Sequence, residues 1–248
     1  MIKLSIITVN LNNKEGLEKT IESILLQTNR NFEHIVIDGK SVDGSLDVLL
    51  KYQTQLKFVS EKDDGIYDAM NKGIKLAKGE YLQFLNSGDF LFEATTLEKV
   101  LPQLLGQDIA YGNLKIDELG HLRDGFMPNE ISLDQMMNDT LWHPVAFIRR
   151  QLFERVGLYN TNYKIVADYD FFFNAIIMHK ASTQHLNEFI AVFNTLGLSS
   201  DIKNVLIIKS EKQQVQSTYL CEAEIADFKN KSNRQNSVLK NLFSKWFR

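Results

Sequence analysis

The first half of the chain switches regularly between short unbroken apolar runs and stretches in which apolar residues recur every three or four positions. Residues 3–9 (KLSIITV) are apolar and rich in β-branched side chains, which predicts a strand covered on both faces. In residues 14–28, Leu17, Ile21, Ile24 and Leu25 fall at offsets of 0, 4, 7 and 8 and mark one face of a helix. The alternation then repeats. It gives a strand over 32–38 (FEHIVID), a helix over 46–52, a third strand over 56–60, a helix carrying Ile66, Ala69, Met70, Ile74 and Ala77, and a fourth strand over 80–85 (EYLQFL). Gly79 follows that last helix as a stop signal. Strands and helices in this order predict parallel strands joined by right-handed crossovers, with helices on both sheet faces.

Beyond residue 90 the period is less regular. The pattern predicts a helix over 97–105, a strand over 108–113 and a strand pair within 114–127 that turns at Gly120. Short helices follow over 133–138 and 151–156, then a firmer one over 169–179, an extended segment over 182–193 and a polar, helical remainder after 199. No internal repeat is visible, and Pro occurs only at 102, 128 and 144, so no proline-rich linker divides the chain. The expected organisation is an α/β domain over residues 1–199, with a mostly parallel Rossmann-type sheet flanked by helices. A helical C-terminal extension over 200–248 completes it.

In an open parallel sheet, ligands bind beyond the carboxyl ends of the strands. The residues placed there are Thr8, Asn10 and Asn12, then Asp38, Ser41 and Asp43, then Glu61, Asp63 and Asp64, then Asn86, Ser87 and Asp89. Each alone reads as an ordinary turn residue. Four consecutive polar, acidic strand ends are harder to explain that way. Familiar phosphate loops are missing: Gly39-Lys40-Ser41 ends like a P-loop, but His34 stands where its first glycine belongs, and no GxGxxG follows the first strand. A diphosphate at this acidic edge therefore needs a cation. Asp89, with an oxygen from Asn86, offers hard ligands for Mg²⁺ or Mn²⁺.

Composition narrows the classes. The 248 residues are 44% hydrophobic and 24% charged, which excludes a disordered chain, a collagen-like repeat or a coiled coil. A net charge of −3 argues against nucleic acid as a partner. The lone Cys221 rules out an intrachain disulfide and a CxxC zinc site and fits a reducing compartment. No apolar run reaches bilayer-spanning length and no secretion signal is read, so the expected location is cytoplasmic. The charge is nevertheless uneven, because six basic residues and no acid lie between Lys229 and Arg248. There Val238, Leu239, Leu242, Phe243, Trp246 and Phe247 share one helical face. That face fits either peripheral contact with the cytosolic side of an anionic membrane or docking on protein, including a second copy in a homodimer.

Several stretches together resemble the family 2 glycosyltransferases, which use the GT-A fold: LSIITVNLNN, VIDGKSVDGS, DDGIYDAMNKGIKLAKGEYLQFLNSGD, WHPVAFIRR and ADYDFFF, in this order over roughly residues 3–195. The resemblance implies transfer of a sugar, with inversion and a divalent metal, from a nucleotide diphosphate donor to an acceptor hydroxyl. The donor is expected to be UDP-linked, and the acceptor a surface polysaccharide or lipid-linked oligosaccharide. It implies that Thr8 and Asn10 lie against base and ribose, that Asp38 reads the base edge, and that Asp64 and Lys72 close the nucleotide pocket. Ser87 and His143 belong with the donor, and Asn86 and Asp89 occupy the metal motif. Here the chain departs from the family, because Asn86 and Gly88 replace two of the usual acids. Asp168 matches the catalytic base, with Ala167 in place of the usual Glu. An N-cap is the structural alternative for Asp168. Two rivals remain. A nucleotidyltransferase would carry a glycine- and basic-rich loop after the first strand, which Asn12–Gly16 is not. A non-catalytic nucleotide-sugar-binding or scaffolding subunit would fit the thinned metal motif.

Overall fold

In the computed structural model, residues 2–118, 120–195, 197, 200–228 and 230 are described. The expected crossovers are present: β1 (Leu4–Asn10), α1 (Lys14–Leu25), β2 (Phe32–Asp38), α2 (Ser45–Lys51), β3 (Lys57–Ser60), α3 (Ile66–Leu76) and β4 (Tyr81–Phe84). All seven residues of β1 are buried, as an inner parallel strand requires. Asn13 caps α1 by accepting from the Gly16 N–H at 3.1 Å, and Leu17, Ile21 and Ile24 turn inward. Leu17 and Ile21 pack with Val36, Val48 and Leu49 in a small core beneath α2. On the other face α3 lies close against β1. A side chain at Gly73 would come within 2.5 Å of Ile7 Cγ2, so glycine inside this helix is the condition for the contact.

The second half departs from a mostly parallel layout. After β5 (Phe90–Leu91) and α4 (Thr96–Val100) come the long strand β6 (Ile109–Glu118), β7 (His121–Gly125), α5 (Leu133–Asn138), β8 (Ala146–Arg149), α6 (Arg150–Val156), α7 (Ala167–Phe172), β9 (Thr183–Asn194) and α8 (Val205–Tyr219). The sheet runs β3-β2-β1-β4-β8-β6-β9-β5, with β7 paired to β6. Pairs β3–β2, β2–β1 and β1–β4 are parallel, whereas β4–β8 and β8–β6 are antiparallel. Strand β8 was not expected. Four apolar residues running into an Arg pair carry no period, and only pairing with both neighbours makes them a strand.

Other boundaries also moved. The expected strand over 108–113 continues without a break to Glu118 and turns into β7, so one hairpin replaces three strands. The helix expected over 97–105 is α4 followed by a 3₁₀ turn at Leu101–Gln103, where Pro102 removes a backbone donor. The helix expected over 169–179 starts at Ala167 and widens into a π-helical stretch over Phe173–Met178. Within the C-terminal extension, α8 buries Val215 and Glu211 against the body. The basic amphipathic segment expected over 229–248 lies, but for residue 230, outside the described residues. No described helix is long and apolar enough to cross a membrane.

Candidate functional site

Three groups of polar side chains are assembled near the carboxyl ends of β1–β4. The first is set by strand register, which places Asn10 opposite Asp38 and Asp38 opposite Ser60. Asp38 is fully buried. Its carboxylate accepts from Asn10 Nδ2 at 2.8 Å, from Ser60 Oγ at 2.6 Å, from the Ser41 N–H at 3.0 Å and from the Ser41 hydroxyl. Burial pushes this carboxyl upward, but the donors of Ser41, Ser60 and Asn10 outweigh it and hold the group below the usual range. Asn12, in the left-handed region at φ 51°, donates its N–H to Ser41 Oγ at 2.8 Å and accepts from the Val42 N–H at 2.9 Å. The loops after β1 and β2 are thereby tied together. Asn10 Oδ1 is buried with no partner among the described residues, an acceptor left over in an otherwise satisfied cluster.

Thr8 does not join this group. It is fully buried within β1, and its hydroxyl is 3.0 Å from His34 Nε2, so the sheet itself uses it. Burial drives His34 down to about 3, and the ring stays neutral.

The second group is the turn after β4. Ser87 N–H bonds the Val9 carbonyl at 3.1 Å and Asp89 N–H the Asn86 carbonyl at 2.9 Å. Gly88, at φ 105°, directs its N–H to Thr20 Oγ1 at 3.0 Å. A Cβ there would be strained. Asn13 Nδ2 donates to the Ser87 carbonyl at 2.9 Å. Asp89 is only 4% exposed, and among the described residues its carboxylate accepts one hydrogen bond, from the Asn194 N–H at 2.9 Å. Burial raises it to about 7, with that single donor opposing. Asn86 Oδ1 is also buried and unpartnered among the described residues. No set of three or more His, Cys, Asp or Glu side chains that could hold a metal gathers among the described residues.

The third group joins α3, the turn before β8 and α7. Asp168 is the second residue of α7, not its cap, and Oδ1 lies 3.0 Å from Tyr67 Oη. His143 is buried, stacked on Phe84 at 4.7 Å and 2.8 Å from Tyr159 Oη. Burial lowers it to about 4, although the Asp168 charge opposes this, so it is a neutral ring. Asn71 and Tyr159 exchange two hydrogen bonds, Nδ2 to carbonyl at 2.9 Å and backbone N–H to Oδ1 at 3.0 Å. Asp64 and Gly65 line a cavity of about 170 Å³ together with Tyr67, Thr161 and Tyr163. Lys72 instead pairs with Glu61 at 2.9 Å and Asp68 at 3.3 Å. Arg149 is opposite Tyr81, at the start of β4, so Arg149 and Arg150 lie at the far sheet edge, bonding the carbonyls of Gly106 and Gly79.

Sequence patterns did not single out Ser60, Tyr67, Tyr159 or Asn194. Ser60 and Asn194 reach Asp38 and Asp89 only through strand pairing, and Tyr67 lies inside a motif whose acids drew the reading. Comparison with known sequences then gives the family. The glycosyl transferase family 2 model covers residues 5–157. The chain belongs to glycosyl transferase family 2. This family 2 enzyme is a glycosyltransferase, and it is 32% identical over 215 residues to a PGL/p-HBAD biosynthesis glycosyltransferase of Mycobacterium bovis (strain BCG / Pasteur 1173P2), spanning 83% of this chain and 82% of that one. It is 29% identical over 204 residues to an uncharacterised glycosyltransferase of Mycobacterium tuberculosis (strain CDC 1551 / Oshkosh), with 79% and 77% covered. In fold it resembles the crystal structure of S. aureus TarS 1-349 in complex with UDP, at TM-score 0.64, 18% identity and coverage of 88% and 70%. It also resembles the mannosyltransferase PcManGT of Pyrobaculum calidifontis in complex with GDP-Man and Mn²⁺, at TM-score 0.59, 17% identity and coverage of 77% and 56%. Against a further TarS 1-349 structure the chain spans 60% of the other's length.

Proposed function

We propose that this family 2 glycosyltransferase moves a sugar from a UDP-linked donor to a hydroxyl of a surface-polysaccharide or lipid-linked oligosaccharide acceptor, with inversion at the anomeric carbon. The observation that carries the reading is Asp89, a buried carboxylate with one backbone donor and no cationic partner among the described residues. Such a group is costly to keep unless a cation arrives. The turn offers two protein oxygens, the Asp89 carboxylate and the orphaned Asn86 Oδ1. This donor set fits Mg²⁺ or Mn²⁺, hard ions that take their other ligands from water and substrate phosphates. When bound, the ion would neutralise charge on the leaving diphosphate. Support comes from structural neighbours solved with UDP, UDP-GlcNAc, and GDP-Man with Mn²⁺.

The chain's own groups then divide the work. Asp38, Asn10 and Ser60 form a polar socket for the nucleoside, with Asn10 Oδ1 free to accept from it. Asp64, which lines the cavity, closes the nucleotide pocket. Asp168 takes the proton of the acceptor hydroxyl as that oxygen attacks from the face opposite the leaving group, which gives a single displacement. The thin metal motif favours a second reading, a nucleotide-sugar-binding subunit without turnover. Release of UDP from UDP-GlcNAc with Mn²⁺ separates them. Turnover by the wild type that falls sharply in both Asp89→Ala and Asp168→Ala is expected. Equal rates in all three would remove both assignments, and UDP-GlcNAc binding without turnover would favour the second reading.

A further inference from the structure

Asp168 stands at the end of a chain of contacts that begins in the C-terminal extension. Glu211 of α8 is 8% exposed. Its Oε1 accepts from the Lys164 N–H at 2.8 Å, and Oε2 accepts from the Ile165 and Val166 N–H groups at 3.0 and 3.2 Å. These donors lead into α7, whose N-cap residue Val166 makes no side-chain cap hydrogen bond. Buried N–H groups need acceptors, and a carboxylate near a helix start also suits the helix dipole. Glu211 therefore fixes, from a distant helix, the chain that leads into α7.

The segment it fixes carries the Ile165 carbonyl, which lies against the Tyr67 hydroxyl. Tyr67 is 6% exposed, and its oxygen lies 3.0 Å from Asp168 Oδ1. Burial, reinforced by the Asp168 charge, raises Tyr67 well above its ordinary range, so the hydroxyl keeps its proton. That hydroxyl has one proton and two acceptors beside it. An ionised Asp168 is the stronger acceptor.

We infer that Tyr67 and Glu211 are positioning residues for Asp168: the Tyr67 hydroxyl donates to Oδ1 and leaves Oδ2 for the acceptor, while Glu211 sets where that carboxylate stands. The inference rests on the reading of Asp168 as the base. Proton balance is simple, since the acceptor's proton ends on Asp168 and Tyr67 loses none. Once Asp168 is protonated, the Tyr67 hydroxyl turns to the Ile165 carbonyl, so both states of the base keep a partner. The site thus extends through α8, and a chain cut before Val205 would lose it.

The full chain tests this with Tyr67→Phe, Glu211→Gln and Asp168→Asn, assayed for UDP release from UDP-GlcNAc with Mn²⁺. Loss of a hydrogen bond to a charged group predicts a kcat lower by about 10- to 100-fold in Tyr67→Phe, with KM for the donor unchanged. Glu211→Gln lowers kcat in the same direction. A Tyr67→Phe enzyme with wild-type kcat, alongside a dead Asp168→Asn, overturns the inference and leaves the base standing. An Asp168→Asn enzyme as active as wild type overturns the reading of the base instead. A second measurement needs no turnover: the ¹³Cζ resonance of Tyr67, assigned through Tyr67→Phe. Displacement of that resonance in both Asp168→Asn and Glu211→Gln supports the chain of contacts. A resonance unmoved in either variant overturns it.

Discussion

Asp38 and Asp89 are the same side chain, both buried, at the ends of two strands that flank β1, and the protein treats them in opposite ways. Around Asp38 the chain supplies Asn10, Ser60 and two donors from Ser41, so the negative charge is fully used and burial is more than offset. Around Asp89 the described residues supply one backbone N–H, and burial carries the group to about 7. The difference teaches how to tell a carboxylate built as part of a pocket wall from one whose partner comes from outside. Both the donors supplied and the depth of desolvation separate them.

Four experiments break or sharpen that comparison. The largest effect is expected at the third acid: Asp168→Asn should lower transfer by about 10²- to 10⁴-fold while UDP affinity, measured by calorimetry, stays the same. Next, Asp38→Asn should destabilise the fold by about 3 kcal/mol in urea, because it strips the charge from several buried donors at once. A third effect isolates His34. This ring is neutral at about 3 in the fold and near 6.5 when unfolded, so the unfolded chain binds more protons between those values and stability falls as pH falls. Between pH 6.5 and 5 the wild type should therefore lose about 1.6 kcal/mol more than His34→Gln, read from urea midpoints. The smallest effect reverses the sign seen at Asp38. In metal-free buffer at pH 8, Asp89→Asn should gain about 1 kcal/mol, because a lone buried charge is replaced by a neutral isostere. A loss comparable to that of Asp38→Asn would mean that Asp89, too, is a finished structural group.

Much of the polar edge at the strand ends was legible in the chain. Asn10, Asp38 and Asp89 could be placed at strand ends because β1, β2 and β4 follow apolar runs whose limits are sharp, and a parallel sheet gathers such ends along one edge. Thr8 shows the limit of that reasoning. Its position two residues short of the strand end looks equivalent, but pairing with His34 turns its hydroxyl into the sheet. Lys72 is likewise engaged within the protein, its ammonium paired with Glu61 and Asp68 and bonded to the Lys62 carbonyl. The Arg149–Arg150 pair was ambiguous until the direction of β8 put it at the opposite edge.

The sequence by itself determined the alternation of β1 to β4 with α1 to α3, and hence the parallel half of the sheet, because period and length are local properties of the chain. Membership of family 2 was also legible in its motifs. Tertiary structure alone decided which carboxylate is satisfied, since donors such as Ser60, Asn194 and the backbone at 164–166 reach their acids only through pairing and packing across long stretches of chain. It also decided that a helix after residue 200 holds Asp168 in place, through a glutamate with no local signal of its role. Hydrogen-bond partners are properties of position in space, and sequence reports them only where the register is already known.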